Sequence, residues 1–331
     1  MRAAVCRTYG PPEVVAVEKV PPPVLGDGQV RVRVAAAAVN FPDILLIADK
    51  YQVTLPTPFV PGSEFVGIVE EVSDRVQGIA AGDRVLGTVI AGAFAEEVAV
   101  SAEAVRAVPA GVDDHHAAAF GVAWRTAYHV LSSVAHLQPG DELVVLGAGG
   151  SVGLAAVRLG SHLGASVTAV ASSAGKLKAA AACGAVNLID HASADLRASL
   201  REVVPEGTDV VVDPVGGDLA EPALRSLRWG GRFVTVGYAS GVIPRIPLNL
   251  VLLKGCRVLG FQFRDFAQHC PDELSRNDDE LWALLAEGRV SPVVGATVAL
   301  DEVATALRLV ADGQVVGKVI LDIGAPQDPD G

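Results

Sequence analysis

The chain is poor in cysteine. Its four cysteines (Cys6, Cys183, Cys256 and Cys270) are scattered and show neither a C-x-x-C pair nor a finger-like spacing. That excludes a disulfide framework and a cysteine-built metal lobe, and it leaves the thiols as small apolar fillers in a reduced compartment. Positive charge is also scarce. The formal net charge is −12 and no basic stripe offsets it, which excludes nucleic acid as the main partner. No apolar run reaches about 18 residues, so no membrane span is expected. The first segment, Met1-Arg2-Ala3-Ala4-Val5, runs straight into a strand-like pattern with no signal peptide, and a cytoplasmic protein is expected. Internal repeats and low-complexity segments are absent. His115 and His116 read as solvent-facing at a helix start, while His129, His136, His162 and His269 have no ligand spacing. No Ser-His-Asp arrangement is suggested.

What is present fills a sizeable core. Hydrophobic residues make up 50% of the 331 and charged residues 19%, and a chain of this length suits two domains better than one. Residues 1–122 read as mainly β. Short strands are expected at Arg2–Val5, Val14–Lys19, Gln29–Val39, Glu64–Val72, Arg84–Thr88 and Ala93–Val100, separated by turns such as Gly10-Pro11-Pro12 and Pro21-Pro22-Pro23. This texture predicts a small antiparallel, barrel-like domain. From about Trp124 helix and strand alternate. Helices are expected at His129–His136, Ala194–Val203, Leu219–Leu227, Asp279–Glu287 and Val303–Ala311. Strands are expected at Asn187–Ile189, Asp209–Val212, Arg232–Val236 and Arg257–Phe261, near Gly295–Val298, and at Lys318–Asp322. The alternation predicts a doubly wound parallel sheet, hence an α/β protein. Ala325–Gly331 read as a frayed tail.

The chemistry concentrates where the apolar run Glu142–Leu146 breaks into Gly147, Gly149, Gly150, Ser151, Val152 and Gly153, followed by a helical pattern through Leu154, Val157, Leu159 and Leu163. Strand, glycine turn and helix form a phosphate cradle, because bare backbone N–H groups and the helix N-terminus face the anion. The spacing is Gly147-x-x-Gly150-x-x-Gly153, not the commoner G-x-G-x-x-G. A tight turn in any α/β protein is the competing reading. After the next strand, Ser166–Ala171, an NAD-preferring fold carries an acid for the ribose 2′-OH. This chain has Ser172 and Ser173 there, with Lys176 close behind. Hydroxyls plus a cation suit the 2′-phosphate of NADPH, which a carboxylate would repel, and a solvated helix start is the competing reading of these residues.

These and other short motifs, in order, resemble one family. Val39-Asn40-Phe41-Pro42-Asp43, Pro61-Gly62-Ser63-Glu64, Ala81-Gly82-Asp83-Arg84-Val85 and Trp124-Arg125-Thr126-Ala127-Tyr128 precede the glycine turn. Asp213-Pro214-Val215-Gly216-Gly217, Gly230-Gly231-Arg232 and Gly317-Lys318-Val319-Ile320-Leu321 follow it. Over residues 1–323 the chain resembles a zinc-free quinone oxidoreductase of the medium-chain dehydrogenase/reductase superfamily. The resemblance implies a GroES-like, β-rich catalytic domain over 1–122, a Rossmann domain binding NADPH over 123–263, and a return to the catalytic domain over 264–331. It also implies a homodimer joined edge to edge near 257–261. Metal-dependent relatives place a Cys where this chain has Asn40 and a His where it has Ser63, and nothing between Leu86 and Phe94 has room for their structural zinc lobe. With only Glu64 of the ligands left, no zinc is expected.

The resemblance also assigns roles. Asn40 lies near the nicotinamide ribose and substrate, Tyr51 lines the substrate pocket, and Thr126 sits beside the nicotinamide ring. Gly237, Tyr238 and Ala239 form the loop meeting the carboxamide, Phe261 and Phe263 wall the pocket, and Lys318 contacts a cofactor phosphate. A turn, a loop tyrosine, a helix cap, core packing and a surface lysine are the corresponding structural readings of Asn40, Tyr51, Thr126, the phenylalanines and Lys318. Relatives often carry a Tyr where this chain has Leu45, and a Tyr near the adenosine phosphate where it has His191. Asp43 and Glu64 read as structural carboxylates. Without a metal the suitable acceptor is a quinone or another conjugated carbonyl or activated alkene, whose developing charge spreads to an oxygen that hydrogen-bond donors stabilise in a water-poor cleft. Two other readings stand beside this one: an NADP-binding sensor with little turnover, and a reductase of enoyl-thioesters.

Overall fold

The computed structural model describes residues 1–324, and the expected tail Ala325–Gly331 lies outside the described residues. The chain divides into two compact units, Met1–Val122 with Ser291–Gly331, and Ala123–Val290.

The first unit begins with β1 (Arg2–Cys6) and β2 (Val15–Lys19), an antiparallel pair. The long strand β3 (Gln29–Val39) is followed by a short helix α1 (Phe41–Ile47), then β4 (Glu64–Val72), β5 (Arg84–Thr88), β6 (Glu97–Ser101), β7 (Val105–Ala107) and α2 (Asp114–Ala118). β3 alternates Val30, Val32 and Val34 inward, and all three are buried in a core with Phe65, Val85 and Phe94. The strand expected at Ala93–Val100 starts only at Glu97, because Ala95 makes a single bridge to Ala3 before the chain joins β3. Helix α1 was not among the expected elements. At seven residues it is too short for a helical period to show, and Asn40 starts it with a backbone N–H donated to Asp43 Oδ2 at 2.7 Å.

The second unit opens in α3 (Gly121–His129), which continues as a π-helical turn over Val130–Val134. Thus the helix expected at His129–His136 is the tail of one that starts earlier. Next come β8 (Glu142–Leu146), α4 (Ser151–His162), β9 (Ser166–Ala171), α5 (Ala174–Ala182), β10 (Asn187–Asp190), α6 (Leu196–Val203), β11 (Thr208–Asp213) and α7 (Ala220–Ser226). β12 (Leu227–Thr235), α8 (Leu248–Lys254), β13 (Arg257–Gly260), α9 (Phe263–His269) and α10 (Pro271–Ala286) complete it. The six strands are all parallel, in the order β10-β9-β8-β11-β12-β13. Counted along the chain that is 3-2-1-4-5-6, the doubly wound order that gathers loops at the carboxyl edge. Val144, Leu146, Val170, Val211 and Phe233 form its core with Leu200 and Leu224 from the helices.

The last elements are β14 (Val294–Ala299), α11 (Val303–Ala311) and β15 (Lys318–Asp322). β15 pairs antiparallel with β3, so the first unit's sheet runs β14-β15-β3-β4-β5-β7 with β6 also on β3. Only the β14–β15 pair is parallel. The return to the first unit therefore falls at Ser291 and not at 264. The intervening helix α10, which begins at Pro271 and not Asp279, is held to the second unit by Tyr128 Oη donating to Glu280 at 2.7 Å and by Arg125 donating to Asp278. Among the described residues, no helix is long and apolar enough to cross a membrane.

Candidate active site

In the second unit the carboxyl edge of the parallel sheet collects most of the residues singled out from sequence. Gly147–Gly153 follow β8, Ser172, Ser173 and Lys176 follow β9, and His191 follows β10. Gly237, Tyr238 and Ala239 follow β12, and Phe261 and Phe263 follow β13. Two glycines of the turn are required by close approach. A Cβ at Gly153 would stand 2.2 Å from the Gly147 carbonyl oxygen, so only glycine lets α4 start this near the end of β8. A Cβ at Gly149 would stand 2.4 Å from the Lys176 side chain, whose stem therefore lies over the turn. The turn is closed by Gly150 N–H donating to Gly147 O at 3.0 Å, and Ala148 N–H donates to Val170 O at 3.0 Å.

Gly150 is the N-cap of the twelve-residue helix α4 and brings no side chain to cap it. The first-turn N–H groups thus lack a side-chain acceptor, at the positive end of the helix dipole. Lys176 Nζ donates to Ser172 Oγ at 3.1 Å, and Ser173 caps α5 by accepting from the Lys176 N–H. Both serines are exposed, with Lys176 as the partner of each. A bare-backbone cradle beside an exposed hydroxyl–ammonium corner fits a dinucleotide carrying an extra phosphate. Asp213 shapes the neighbouring loop. Its Oδ1 accepts from Val215 N–H at 2.9 Å and Gly216 N–H at 2.8 Å, and burial pushes its carboxyl above the ordinary range against those two bonds.

Asn40, Tyr51 and Lys318 belong to the first unit. Tyr51 is half-buried in the bend after α1. Asn40 and Lys318 form a closed network. Lys318 Nζ lies 2.5 Å from Glu64 Oε1 and donates to Asn40 Oδ1 at 2.6 Å, with 2% and 1% of the Lys318 and Glu64 side chains exposed. Asn40 Nδ2 donates to Glu64 Oε1 at 2.9 Å and Ser63 Oγ at 3.1 Å, and Glu64 Oε2 accepts from Val122 N–H at 2.7 Å. The phosphate contact expected of Lys318 is thereby corrected. Its ammonium is buried against Glu64 and Asn40, because β15 pairs with the end of β3 that carries Asn40. The amide of Asn40 is engaged at both ends inside the unit. Sequence reading missed this pairing, since residues 40, 64 and 318 meet only through strand order. Asp43, fully buried beneath the network, has its carboxyl pushed up to about 7 by burial, against the Asn40 N–H bond that favours its charged form.

Thr126 lies on α3, one turn before His129. His115 and His116 sit in α2 as expected. His116 Nδ1 is 2.7 Å from Asp113, which also caps the helix. Among the described residues no group of His, Cys, Asp or Glu is arranged to hold a metal ion.

Comparison with known proteins agrees with both halves. Residues 26–110 match the family model of the alcohol dehydrogenase GroES-like domain, and residues 151–278 match that of the zinc-binding dehydrogenase. A quinone oxidoreductase-like protein 2 homolog of Nematostella vectensis is 35% identical over 324 residues, 97% of this chain and 88% of that protein. The quinone oxidoreductase of Escherichia coli, solved in complex with NADPH, superposes with a TM-score of 0.91 at 26% identity, covering 98% of this chain and 100% of that one. The Thermus thermophilus quinone oxidoreductase, also solved with NADPH, gives a TM-score of 0.82 at 30% identity, covering 98% and 100%.

Proposed function

Because the chain belongs to the quinone oxidoreductase branch of the medium-chain dehydrogenase/reductase superfamily, we propose that it is an NADPH-dependent reductase of quinones or other conjugated carbonyls, working without zinc. The observation that carries this reading is the corner at Ser172, Ser173 and Lys176, set directly against the glycine turn with hydroxyls and an ammonium where an acid would select NAD. When bound there, NADPH supplies the hydride. The first turn of α4 holds the pyrophosphate and Lys176 with the two serines holds the 2′-phosphate. His191 extends that grip, and the backbone of Gly237, Tyr238 and Ala239 orients the carboxamide. Thr126 is assigned to the nicotinamide side and Phe261 and Phe263 to the pocket wall. Tyr51 is assigned to hydrogen-bond the acceptor oxygen as charge develops.

The absence of zinc is supported by the network around Asn40. Lys318 already brings a positive charge to Glu64 and Asn40 Oδ1, and a metal cation beside it would be repelled. With no Lewis acid at hand, acceptors that delocalise the incoming charge are favoured over simple ketones. A homodimer through β13 completes the proposal. β13 is one of the two open edges of the parallel sheet, Val258 is exposed on it, and the exposed Leu248, Leu252 and Leu253 immediately precede it.

The deciding experiment is NADPH oxidation by purified protein across a panel of quinones and enones, with NADH in parallel. Turnover with NADPH and quinone is expected, and failure to oxidise NADPH with any quinone or enone of the panel overturns the reductase reading. Tight NADPH binding without turnover would instead select a sensor. Elemental analysis of washed protein is expected to find no stoichiometric zinc.

A further inference from the structure

The amino edge of the parallel sheet, opposite the cofactor cradle, carries a cavity of about 400 Å³. Its walls are one face of α6, the C-terminal ends of α7 and α8, and the first residues of β12, all in the second unit. Five cations line it: Arg197 and Arg201 from α6, Arg225 from α7, Arg228 from β12 and Lys254 from α8. Glu206 is the one carboxylate among its lining residues. In a chain of net charge −12 this is a local reversal of sign, assembled from positions that only the fold brings together.

Two of the five charges are met within the protein. Arg225 donates to Glu221 Oε1 at 2.6 Å, and Arg228 pairs with Asp209. Lys254 Nζ donates to the Leu227 carbonyl oxygen at 2.8 Å, which satisfies a donor but not the charge. Arg197 and Arg201 are exposed, and among the described residues neither has a hydrogen-bond or ion-pair partner. Arg201 and Lys254 stand in the last turns of their helices, where the dipole favours a cation. Arg197 stands in the first turn of α6, at the unfavourable end, and four residues before Arg201 on the same face. Dipole and like-charge repulsion therefore both oppose it, and a bound anion would relieve both. Trp229, also in the lining, is 80% exposed yet seated. A Cβ at Gly255 would stand 2.5, 2.6 and 2.7 Å from three atoms of the indole, so the ring lies flat over Gly255 and its other face is open.

We propose that this cavity is a second ligand site, for a nucleoside phosphate whose base stacks on the open face of Trp229 and whose phosphates are held by Arg197 and Arg201. An aromatic platform beside guanidinium groups matches a planar base joined to an oxyanion, since stacking and charge-assisted hydrogen bonds then act on one molecule. The volume lies towards the small end of the range for ligand pockets, about 300–1,000 Å³, and suits a mononucleotide better than a dinucleotide. The site lies at the opposite edge of the sheet from the glycine turn, so the assignment does not rest on the reductase reading.

The test titrates the full chain, saturated with NADPH to fill the cradle, with ADP and separately with inorganic pyrophosphate in a calorimeter. Stoichiometric ADP binding is expected. Arg197→Gln combined with Arg201→Gln should weaken ADP and pyrophosphate alike, by about tenfold or more. Trp229→Leu should weaken ADP by about tenfold and leave pyrophosphate near wild type. All three positions are exposed, so an unchanged Tm is expected in each variant. No ADP binding, or equal ADP affinity in wild type and both variants, overturns the proposal. Equal losses of ADP and pyrophosphate in Trp229→Leu also overturn it, because the base then makes no stacking contact. So does a loss that follows dissociation in light scattering, which would make this face a contact between copies of the chain. Should NADPH itself fail to bind, the reductase reading falls alone, and Gly153→Ala, which opens the glycine turn, separates the two sites. ADP binding retained in Gly153→Ala and lost in the arginine variant supports the amino-edge site, and the reverse pattern assigns ADP to the cradle and refutes it.

Discussion

Lys318 and Glu64 face each other at 2.5 Å with almost no exposure, so each supplies the other's counter-charge in place of water. Removing one charge strands the other. Lys318→Met is expected to cost about 3–5 kcal/mol in urea unfolding, while Lys318→Met with Glu64→Gln should recover most of that loss. An additive double variant would show that the pair is not coupled. Asp43 gives a pH signature of opposite kind. Its native carboxyl titrates at about 7 against an ordinary 3.8, because burial penalises its charge. Between those values the native state holds a proton that the unfolded chain has released. Asp43 therefore stabilises the fold fully below about pH 4, and that contribution is lost as pH rises towards about 7, at no more than about 1.4 kcal/mol per pH unit. Asp43→Asn should flatten this part of the stability–pH curve measured by denaturant unfolding, and an unchanged slope would refute the assignment. None of these three residues could be ranked from sequence. Asp43 and Glu64 read there as structural carboxylates, and Lys318 as a phosphate contact or a surface lysine. What settles its place is the pairing of β15 with β3.

Among the elements, the strand–turn–helix at Gly147–Gly153 is the most legible, since a turn built on glycine contacts announces itself in glycine spacing. Gly153→Ala places a methyl 2.2 Å from the Gly147 oxygen and must open the turn. NADPH affinity should fall by about tenfold or more, equivalent to about 1.4 kcal/mol, in a fluorescence titration. Lys176→Ala removes the ammonium at Ser172 and should weaken NADPH by about tenfold while leaving NADH nearly unchanged. Equal losses for both cofactors would refute the 2′-phosphate corner. Most strands of the first unit were read to within a few residues, as where Val30, Val32 and Val34 alternate in Gln29–Val39, but the three-residue β7 escaped. Short helices escaped. α1 and α9 are seven residues each, and in such a length a helical period cannot be told from a loop with apolar residues.

At the scale of the molecule, the doubly wound order 3-2-1-4-5-6 leaves β13 as an open edge, and an open parallel edge with exposed Val258 invites a second copy. Light scattering should find a dimer, and Val258→Asp should shift it towards monomer. A wild-type protein that is monomeric at assay concentration removes the edge-to-edge assembly. The two-unit division was legible in the change of texture near Trp124, but the point of return was not. α10 remains with the second unit, which ends at Val290, and is held by Arg125, Tyr128 and His129 from α3. Those partners are some 150 positions away, and amphipathic helices look alike whichever core they serve.

By itself the sequence determined the α/β class, the elements of the parallel sheet and the dinucleotide turn, because each is written in local periodicity or in glycines that tolerate no side chain. Only the tertiary structure decided that Lys318 is the buried counter-ion of Glu64 and that Asp278 grips Arg125 and His129. Both depend on which strands and helices become neighbours. A buried charge is defined by the partner that comes to meet it, and no local pattern records that partner.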